Sequence, residues 1–158
     1  MCIRDSANTE RFPEAEIVRS GEYAETIRGL PINANTFIVV ATRGHRYDDA
    51  ALAAAMETPA SYVGLLGSRR KTILIYEELL QRGWPIERVK AVHAPIGLDI
   101  GGRTPEEIAI SIMSEILAFR LGGSGGSMKL EDRYLERIQQ NLERRSGKEP
   151  RVPVAVGD

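Results

Sequence analysis

The chain has 158 residues, 21 Lys+Arg against 22 Asp+Glu for a formal charge of −1, and 42% hydrophobic residues, consistent with one domain of about 100–200 residues. That balance lacks the basic footprint of a nucleic-acid binder, and no apolar run approaches the roughly 18–20 residues of a bilayer span. With one cysteine, Cys2, no internal disulfide or CxxC metal site is available, and with no hydrophobic signal segment the expected setting is soluble and cytoplasmic.

In chain order, Met1-Cys2-Ile3-Arg4-Asp5-Ser6 carries no helical or strand period and resembles a translated sequencing-adapter remnant. Residues 1–6 are therefore expected to be a non-native leader, with no role for Cys2. Ala15 to Arg19 is expected to form a short strand. Thr36 to Ala41 is a short β-branched apolar run, as in a strand buried on both faces. Tyr47 to Met56 follows, with Asp48 and Asp49 ahead of an alanine-rich segment, which suits a helix start. Pro59 ends that helix. Ser61 to Leu66 reads as a second buried strand, Gly67-Ser68 as a turn, and Arg69 to Gln81 as a helix stopped by Gly83. Ile86 to Lys90 with Ala91-Val92-His93 makes a weaker turn-and-strand unit. Thr104-Pro105-Glu106-Glu107 opens a long helix through Phe119 with a capping box and proline at the first helical position.

Gly122 to Ser127 reads as a flexible Gly/Ser linker. Beyond it Leu130, Tyr134, Leu135, Ile138 and Leu142 recur at helical spacing, and Pro150 to Asp158 is expected to be disordered. Strands alternating with helices across short loops predict an α/β fold, a Rossmann-like doubly wound parallel sheet, with a C-terminal helix appended. No G-x-G-x-x-G follows a strand, so the usual dinucleotide fingerprint is missing.

Ligands of such sheets sit at the carboxyl ends of the strands, where three clusters fall. Ser68, Arg69, Arg70 and Lys71 put three cations in the first turn of a helix, against its macrodipole. That placement makes sense for an anion held by the cations and by backbone N–H groups. The competing reading is a solvated basic turn paired with Glu77, Glu78 or another acidic group. In Thr42-Arg43-Gly44-His45-Arg46-Tyr47-Asp48, His45 and Asp48 admit an acid/base role, but a structural histidine and a capping aspartate fit better, and two such residues do not make a metal site. Gly97, Gly101 and Gly102, in the stretch from His93 to Arg103, serve equally a tight crossover or a loop that approaches a ligand closely. Tyr62 and Trp84 read as packing residues. No Ser-His-Asp or Cys-His nucleophile context is evident.

The strings ANTERFPEAE, ATRGHRYDD, YVGLLGSRRK and HAPIGLDIGGRTPEEIAISIMSEI together resemble the carboxyl-terminal Rossmann domain of the XdhC/CoxI family, accessory proteins of molybdenum hydroxylases, over roughly Ala7 to Leu121. The resemblance implies a protein that binds molybdenum cofactor, as molybdopterin or its dinucleotide form. It would assist the cofactor's sulfuration by a cysteine desulfurase and its insertion into an apo hydroxylase such as xanthine dehydrogenase, acting as a chaperone more than as an enzyme, with a homodimer possible. On this reading Ser68, Arg69, Arg70 and Lys71 fall on the family's GSRRK-like motif, His45 and Asp48 on its H-x-x-D-like motif, and Gly97, Gly101 and Gly102 on its PIGL-x-IG region, with no catalytic or metal-ligating residue expected. In the family a first β-α unit precedes ANTERFPEAE, so the chain is expected to be an N-terminally truncated domain over 7–121, with a linker over 122–127 and a helix and tail over 128–158. An NAD(P)-dependent oxidoreductase is the alternative enzyme reading, and a purely structural docking module the third.

Overall fold

The computed structural model describes residues 7–42 and 45–147, with the side chains of residues 45 and 46 outside that description. The adapter-like leader with Cys2, the pair Arg43 and Gly44, and the Pro150 to Asp158 tail lie outside the described residues.

A parallel sheet of two strands forms the centre. β1 (Phe37–Val40) pairs with β2 (Tyr62–Leu65) in the register Phe37 to Tyr62 through Val40 to Leu65. These are the two apolar runs of the sequence; β2 is covered on both faces as suits a parallel strand, whereas Val39 leaves one face of β1 exposed, contrary to the burial expected of that run. A third chain segment lies on the far side of β2. His93 N–H donates to the Val63 carbonyl at 2.9 Å, Leu65 N–H to the His93 carbonyl at 2.9 Å, and Ile96 N–H to the Leu65 carbonyl at 3.0 Å. The pairing is a single bridge, Gly64 to His93, because Pro95 follows close behind and proline brings no N–H to a ladder.

Helices cover both faces. α1 (Tyr23–Arg28), α2 (His45–Met56), α3 (Arg69–Gln81) and α4 (Ile86–Lys90) precede α5 (Pro105–Leu121), and α6 (Asp132–Ser146) follows it. On one face Leu52, Leu65, Leu79 and Val89 form a core with Val40 and Ile75. On the other, Tyr62, Ile96 and Ile116 pack with Phe37, Leu66 and Ile112 beneath α5. The period-two alternation of β2 makes this division: Tyr62 and Gly64 face α5, and Val63 and Leu65 face the other layer. This is the doubly wound α/β architecture that the alternation of elements predicts.

Helix ends follow the local chemistry. Ser68 caps α3 by accepting from Lys71 N–H, Gly83 takes φ +86 just past it, and Thr104 and Glu107 form the reciprocal capping box of α5. Two expectations are corrected, and one helix is added. Ala15 to Arg19 is not a strand: the Ala15 N–H turns back to the Phe12 carbonyl at 3.1 Å, and an extended segment without a ladder partner leaves its backbone to solvent. Ile86 to Lys90 is a short helix capped by Ala91 instead of a turn. α1 is not signalled by apolar periodicity; it starts where Glu22 accepts from Glu25 N–H, an acidic cap in place of the usual serine or threonine.

The chain divides into two compact units, Met1–Gly125 and Gly126–Asp158. In the second, α6 carries Leu135, Ile138 and Leu142 exposed and ends at Gly147 with φ +64.

Gly64 is the tightest point of the sheet: a Cβ there meets the side chain of Ile96 well inside contact distance. Gly64→Ala is therefore expected to cost about 1–3 kcal/mol through overpacking, read as a lowered urea midpoint at unchanged slope. An unshifted midpoint would show that Ile96 moves aside freely.

Candidate functional site

The carboxyl ends of the sheet bring two of the sequence clusters together. β1 and β2 end side by side, with Leu66 N–H bonded to the Val40 carbonyl at 2.9 Å, so Thr42 and Gly67-Ser68 emerge as neighbours. Asp48, the fourth residue of α2, is completely buried. One of its oxygens accepts from Thr42 Oγ1 at 2.5 Å, and the other is paired with Lys71 Nζ. The same ammonium reaches the Leu66 carbonyl at 3.5 Å. Lys71 is itself only 14% exposed, and the stem crosses the position where a Gly67 Cβ would sit, 3.0 Å away at Lys71 Cδ. One buried ion pair thus ties α2, α3 and both strand ends.

Asp48 is consequently a buried counter-ion and not the cap expected of it, and Lys71 pairs inward instead of with Glu77 or Glu78. Glu78 and Asp49 are instead bound by Arg82, at 2.6 and 2.9 Å. The remaining cations of the cluster stay outside. Ser68, Arg69 and Arg70 are exposed, and neither guanidinium makes an ion pair among the described residues. The Thr72 N–H returns to the Ser68 carbonyl at 2.9 Å and the Lys71 N–H is taken by Ser68 Oγ at 3.3 Å. The N–H groups of Arg69 and Arg70 are left without a partner among the described residues, as the first turn of a helix leaves them. Two free amides at a helix start with two free guanidiniums beside them are a donor set for an oxyanion. The backbone of His45 begins α2, and its side chain lies outside the described residues.

The glycine cluster lies elsewhere, on the crossover into α5. Gly97 has φ +107, and a Cβ on it meets Ser111; a Cβ on Gly102 meets Glu107 Cβ at 2.8 Å. Both are accounted for by close packing on α5. Gly101, at φ +71, has nothing within reach of a Cβ and serves a left-handed turn. The crossover is held from α5 by Ser111, whose hydroxyl donates to the Leu98 carbonyl at 2.5 Å.

A group with no counterpart among the sequence candidates stands behind that crossover. Glu115, on the inward side of α5, accepts from Tyr62 OH at 3.0 Å, from the Gly97 N–H, and from His93 Nδ1 at 2.6 Å. The His93 ring stacks on Tyr62 at 4.2 Å between centroids, with Phe119 edge-on to both. A carboxylate at Nδ1 selects the tautomer with its proton there. Burial, then the hydrogen bond and charge of Glu115, push the Tyr62 hydroxyl well above its usual range. The signal available in sequence was one glutamate set between Ile112 and Ile116, a charge on a helix face otherwise bound for the core.

Among the described residues no group of three or more His, Cys, Asp or Glu is placed to hold a metal. A cleft lined by Ile27, Leu30, Ala54 and Pro59, and another by Met56, Ser61, Arg88 and Val92, open on the side where the chain enters β2, away from the cation cluster.

Comparison with known proteins places this geometry in context. Residues 2–116 match the family model described as the XdhC Rossmann domain. The chain is 37% identical over 126 residues to the uncharacterized protein YqeB of Escherichia coli, covering 79% of this chain and 23% of that one. It is 29% identical over 90 residues to the molybdenum cofactor insertion chaperone PaoD of E. coli, covering 57% and 28% of the two. It is also 29% identical over 109 residues to a probable xanthine dehydrogenase subunit of Bacillus subtilis, covering 69% and 31%. The chain therefore spans 23–31% of the length of these curated relatives. A crystal structure described as a xanthine dehydrogenase from Bacillus halodurans superposes with a TM-score of 0.62 at 27% identity, over 78% of this chain and 35% of that one.

Two outcomes follow from the geometry. Lys71→Ala strands a buried carboxylate and is expected to cost about 3–5 kcal/mol, whereas Arg70→Ala, which only relieves an unfavourable dipole contact, changes stability by at most about 1 kcal/mol; urea unfolding of the two variants compares them, and equal effects would deny the pair its structural role. Because the Tyr62 hydroxyl is raised above the 10.0 of a free tyrosine, its contribution to stability is whole below about pH 10 and is lost as pH rises beyond that, where the unfolded chain ionises first. Tyr62→Phe should flatten the alkaline fall in stability, leaving the share of Tyr76, which burial also raises; an unchanged slope would remove Tyr62 from the account.

Proposed function

We propose that this chain, which belongs to the XdhC Rossmann-domain family, is an accessory module of molybdenum hydroxylase maturation that holds molybdenum cofactor at the start of α3. The observation that carries the reading is the donor set there: exposed Arg69 and Arg70, with N–H groups that find no partner among the described residues, on a helix start locked by Ser68 and by the Asp48–Lys71 pair. The name of PaoD as a molybdenum cofactor insertion chaperone, and that of the B. subtilis relative as a probable part of a xanthine dehydrogenase, support the same direction.

The fit is chemical. Molybdenum cofactor carries a phosphate, or a pyrophosphate in its dinucleotide form, and oxyanions are what free helix-start amides and guanidiniums take. Arg69 and Arg70 are the contacting cations in this scheme. Lys71, neutralised by Asp48, sets the helix start without touching the anion, so the local charge offered to the ligand is two guanidiniums and not three cations. In this scheme His45, at the start of α2, and the crossover at Gly97, Gly101 and Gly102, which packs on α5 apart from the cation cluster, bound the space in which the pterin lies. When bound, the cofactor supplies the molybdenum centre that the client hydroxylase uses, and sulfuration by a cysteine desulfurase partner precedes delivery to the apo hydroxylase.

Anaerobic ultrafiltration with molybdenum analysis tests the assignment, using Arg69→Glu/Arg70→Glu as the control that spares the buried pair and NADPH as competitor. Saturable binding that falls at least about tenfold in the double variant, as loss of two charge-assisted contacts predicts, and that NADPH does not displace, is the expected result. Binding of NADPH without binding of the cofactor would overturn it and favour an NAD(P)-dependent oxidoreductase.

A further inference from the structure

α1 and α2 lie side by side and run in the same direction. Tyr23, the first residue of α1, meets Tyr47 in the opening turn of α2 with ring centroids 5.7 Å apart and planes inclined at 54°, and at the far ends Arg28 pairs with Glu57 at 3.1 Å. Both helices therefore begin at the edge where β1 and β2 end, the edge that carries the α3 start. Tyr47 directly precedes Asp48, whose buried carboxylate is paired with Lys71, so the backbone beneath the Tyr47 ring is held by the same contact that holds Arg69 and Arg70. The rings themselves are open. Tyr47 is 49% and Tyr23 39% exposed, whereas Leu52 and Met56, the other large apolar residues of α2, are buried. Two aromatic rings packed on each other and left in solvent, next to an oxyanion donor set, add what charges and amides do not supply, a flat π-face.

We propose that Tyr47, backed by Tyr23, is the stacking platform for a planar heteroaromatic ring on the ligand whose oxyanion the α3 start holds. The inference rests on that reading of the α3 start and extends it from a charge to a molecule. Packed helices lie about 8–10 Å between axes, so ring and oxyanion are separated by a distance on the order of 10 Å, which a phosphate joined to a ring through a few bonds covers. The pterin of molybdenum cofactor and the nucleobase of its dinucleotide form share this chemistry. Stacking reads the face of a ring and not its hydrogen-bonding edge, and so accepts either. Inorganic phosphate meets the α3 start alone, which makes the platform the part of the site that distinguishes a ring-bearing phosphate from a bare one.

The test is nuclear magnetic resonance of the full chain, labelled in its tyrosine rings and backbone amides and titrated in turn with inorganic phosphate, hydroxymethylpterin phosphate, and cytidine and guanosine monophosphates. The chain has five tyrosines, and three are controls: Tyr62 and Tyr76 are tied through their hydroxyls to Glu115 and the Val92 carbonyl, and Tyr134 belongs to the other compact unit. The expected result is that phosphate moves the Arg69 and Arg70 amides and no tyrosine ring, whereas a ring-bearing phosphate moves the same amides together with the rings of Tyr47 and Tyr23. A response to the pterin phosphate alone assigns the platform to the pterin, and a response to nucleotides alone assigns it to the nucleobase; either supports the inference. Tyr47→Ala should weaken the ring-bearing ligand about tenfold or more and inorganic phosphate much less. Tyr47→Phe should restore the affinity and Tyr47→Leu, which keeps apolar area without a π-face, should not, with circular dichroism melts confirming that each variant folds. Tyrosine rings that stay still while every phosphate moves Arg69 and Arg70 would overturn the inference and leave the anion reading intact, and so would a Tyr47→Leu variant that binds as tightly as the unaltered chain. Arg69 and Arg70 amides silent to all four ligands would overturn the anion reading itself, and with it the span from oxyanion to ring.

Discussion

A carboxylate removed from water must be neutralised or it destabilises the fold, and in this protein Lys71 neutralises Asp48. The pair spans the end of β1, the first turns of α2 and α3, and the Leu66 carbonyl at the end of β2. The position of the α3 start is thus fixed by an electrostatic requirement and not by apolar packing alone. What this leaves at the surface follows directly. With Lys71 drawn inward, Arg69 and Arg70 remain as the solvated cations of the turn, beside two helix-start amides that no other described group takes. The same interaction therefore builds the scaffold and defines which donors are available to a ligand.

On the opposite face of the sheet Glu115 has the corresponding place. It joins α5 to β2 through Tyr62, to the bridging segment through His93 and to the crossover through Gly97, and so fixes the loop that borders the strand ends. Each layer of helices is in this way tied to the sheet by one buried or half-buried acid. Hydrogen bonds to a charged group contribute about 1.5–3 kcal/mol each, more than one buried methylene adds.

Much of the fold was legible because its signals are local. The limits of α3 are set by the Ser68 cap and the Gly83 stop, those of α5 by a capping box, and β1 and β2 by runs of Phe, Ile, Val and Leu bounded by turn residues; each lies within a few residues of what it controls. The candidate site was legible in composition and not in arrangement. Three successive cations at a helix start announce an electrostatic anomaly, but nothing at Lys71 states that its partner is 23 positions earlier in another helix, and the cap expected of Asp48 competes with a burial that only the packing of α2 on α3 produces. Ala15 to Arg19 has strand-like residues but no neighbour to pair with among the described residues, and strand formation depends on the neighbour. Glu115 was passed over because one polar residue in an apolar helix is weak evidence until Tyr62 and His93, far away in the chain, are brought beside it. Gly97 and Gly102 illustrate the converse: both roles open to them in sequence need the same residue, and only their contact with Ser111 and Glu107 shows that packing on α5 accounts for them.

The central claim is that the α3 start, locked by Asp48 and Lys71, is where the ligand's anionic group is held. Amide chemical shifts recorded residue by residue during an anaerobic titration with molybdenum cofactor test it most directly. The account predicts that the largest changes fall on the N–H groups of Arg69 and Arg70, with smaller ones at Thr42 and along the Gly97 to Gly102 crossover. Saturable changes confined to the cleft lined by Ile27, Leu30, Ala54 and Pro59, with the α3 start silent, would contradict it.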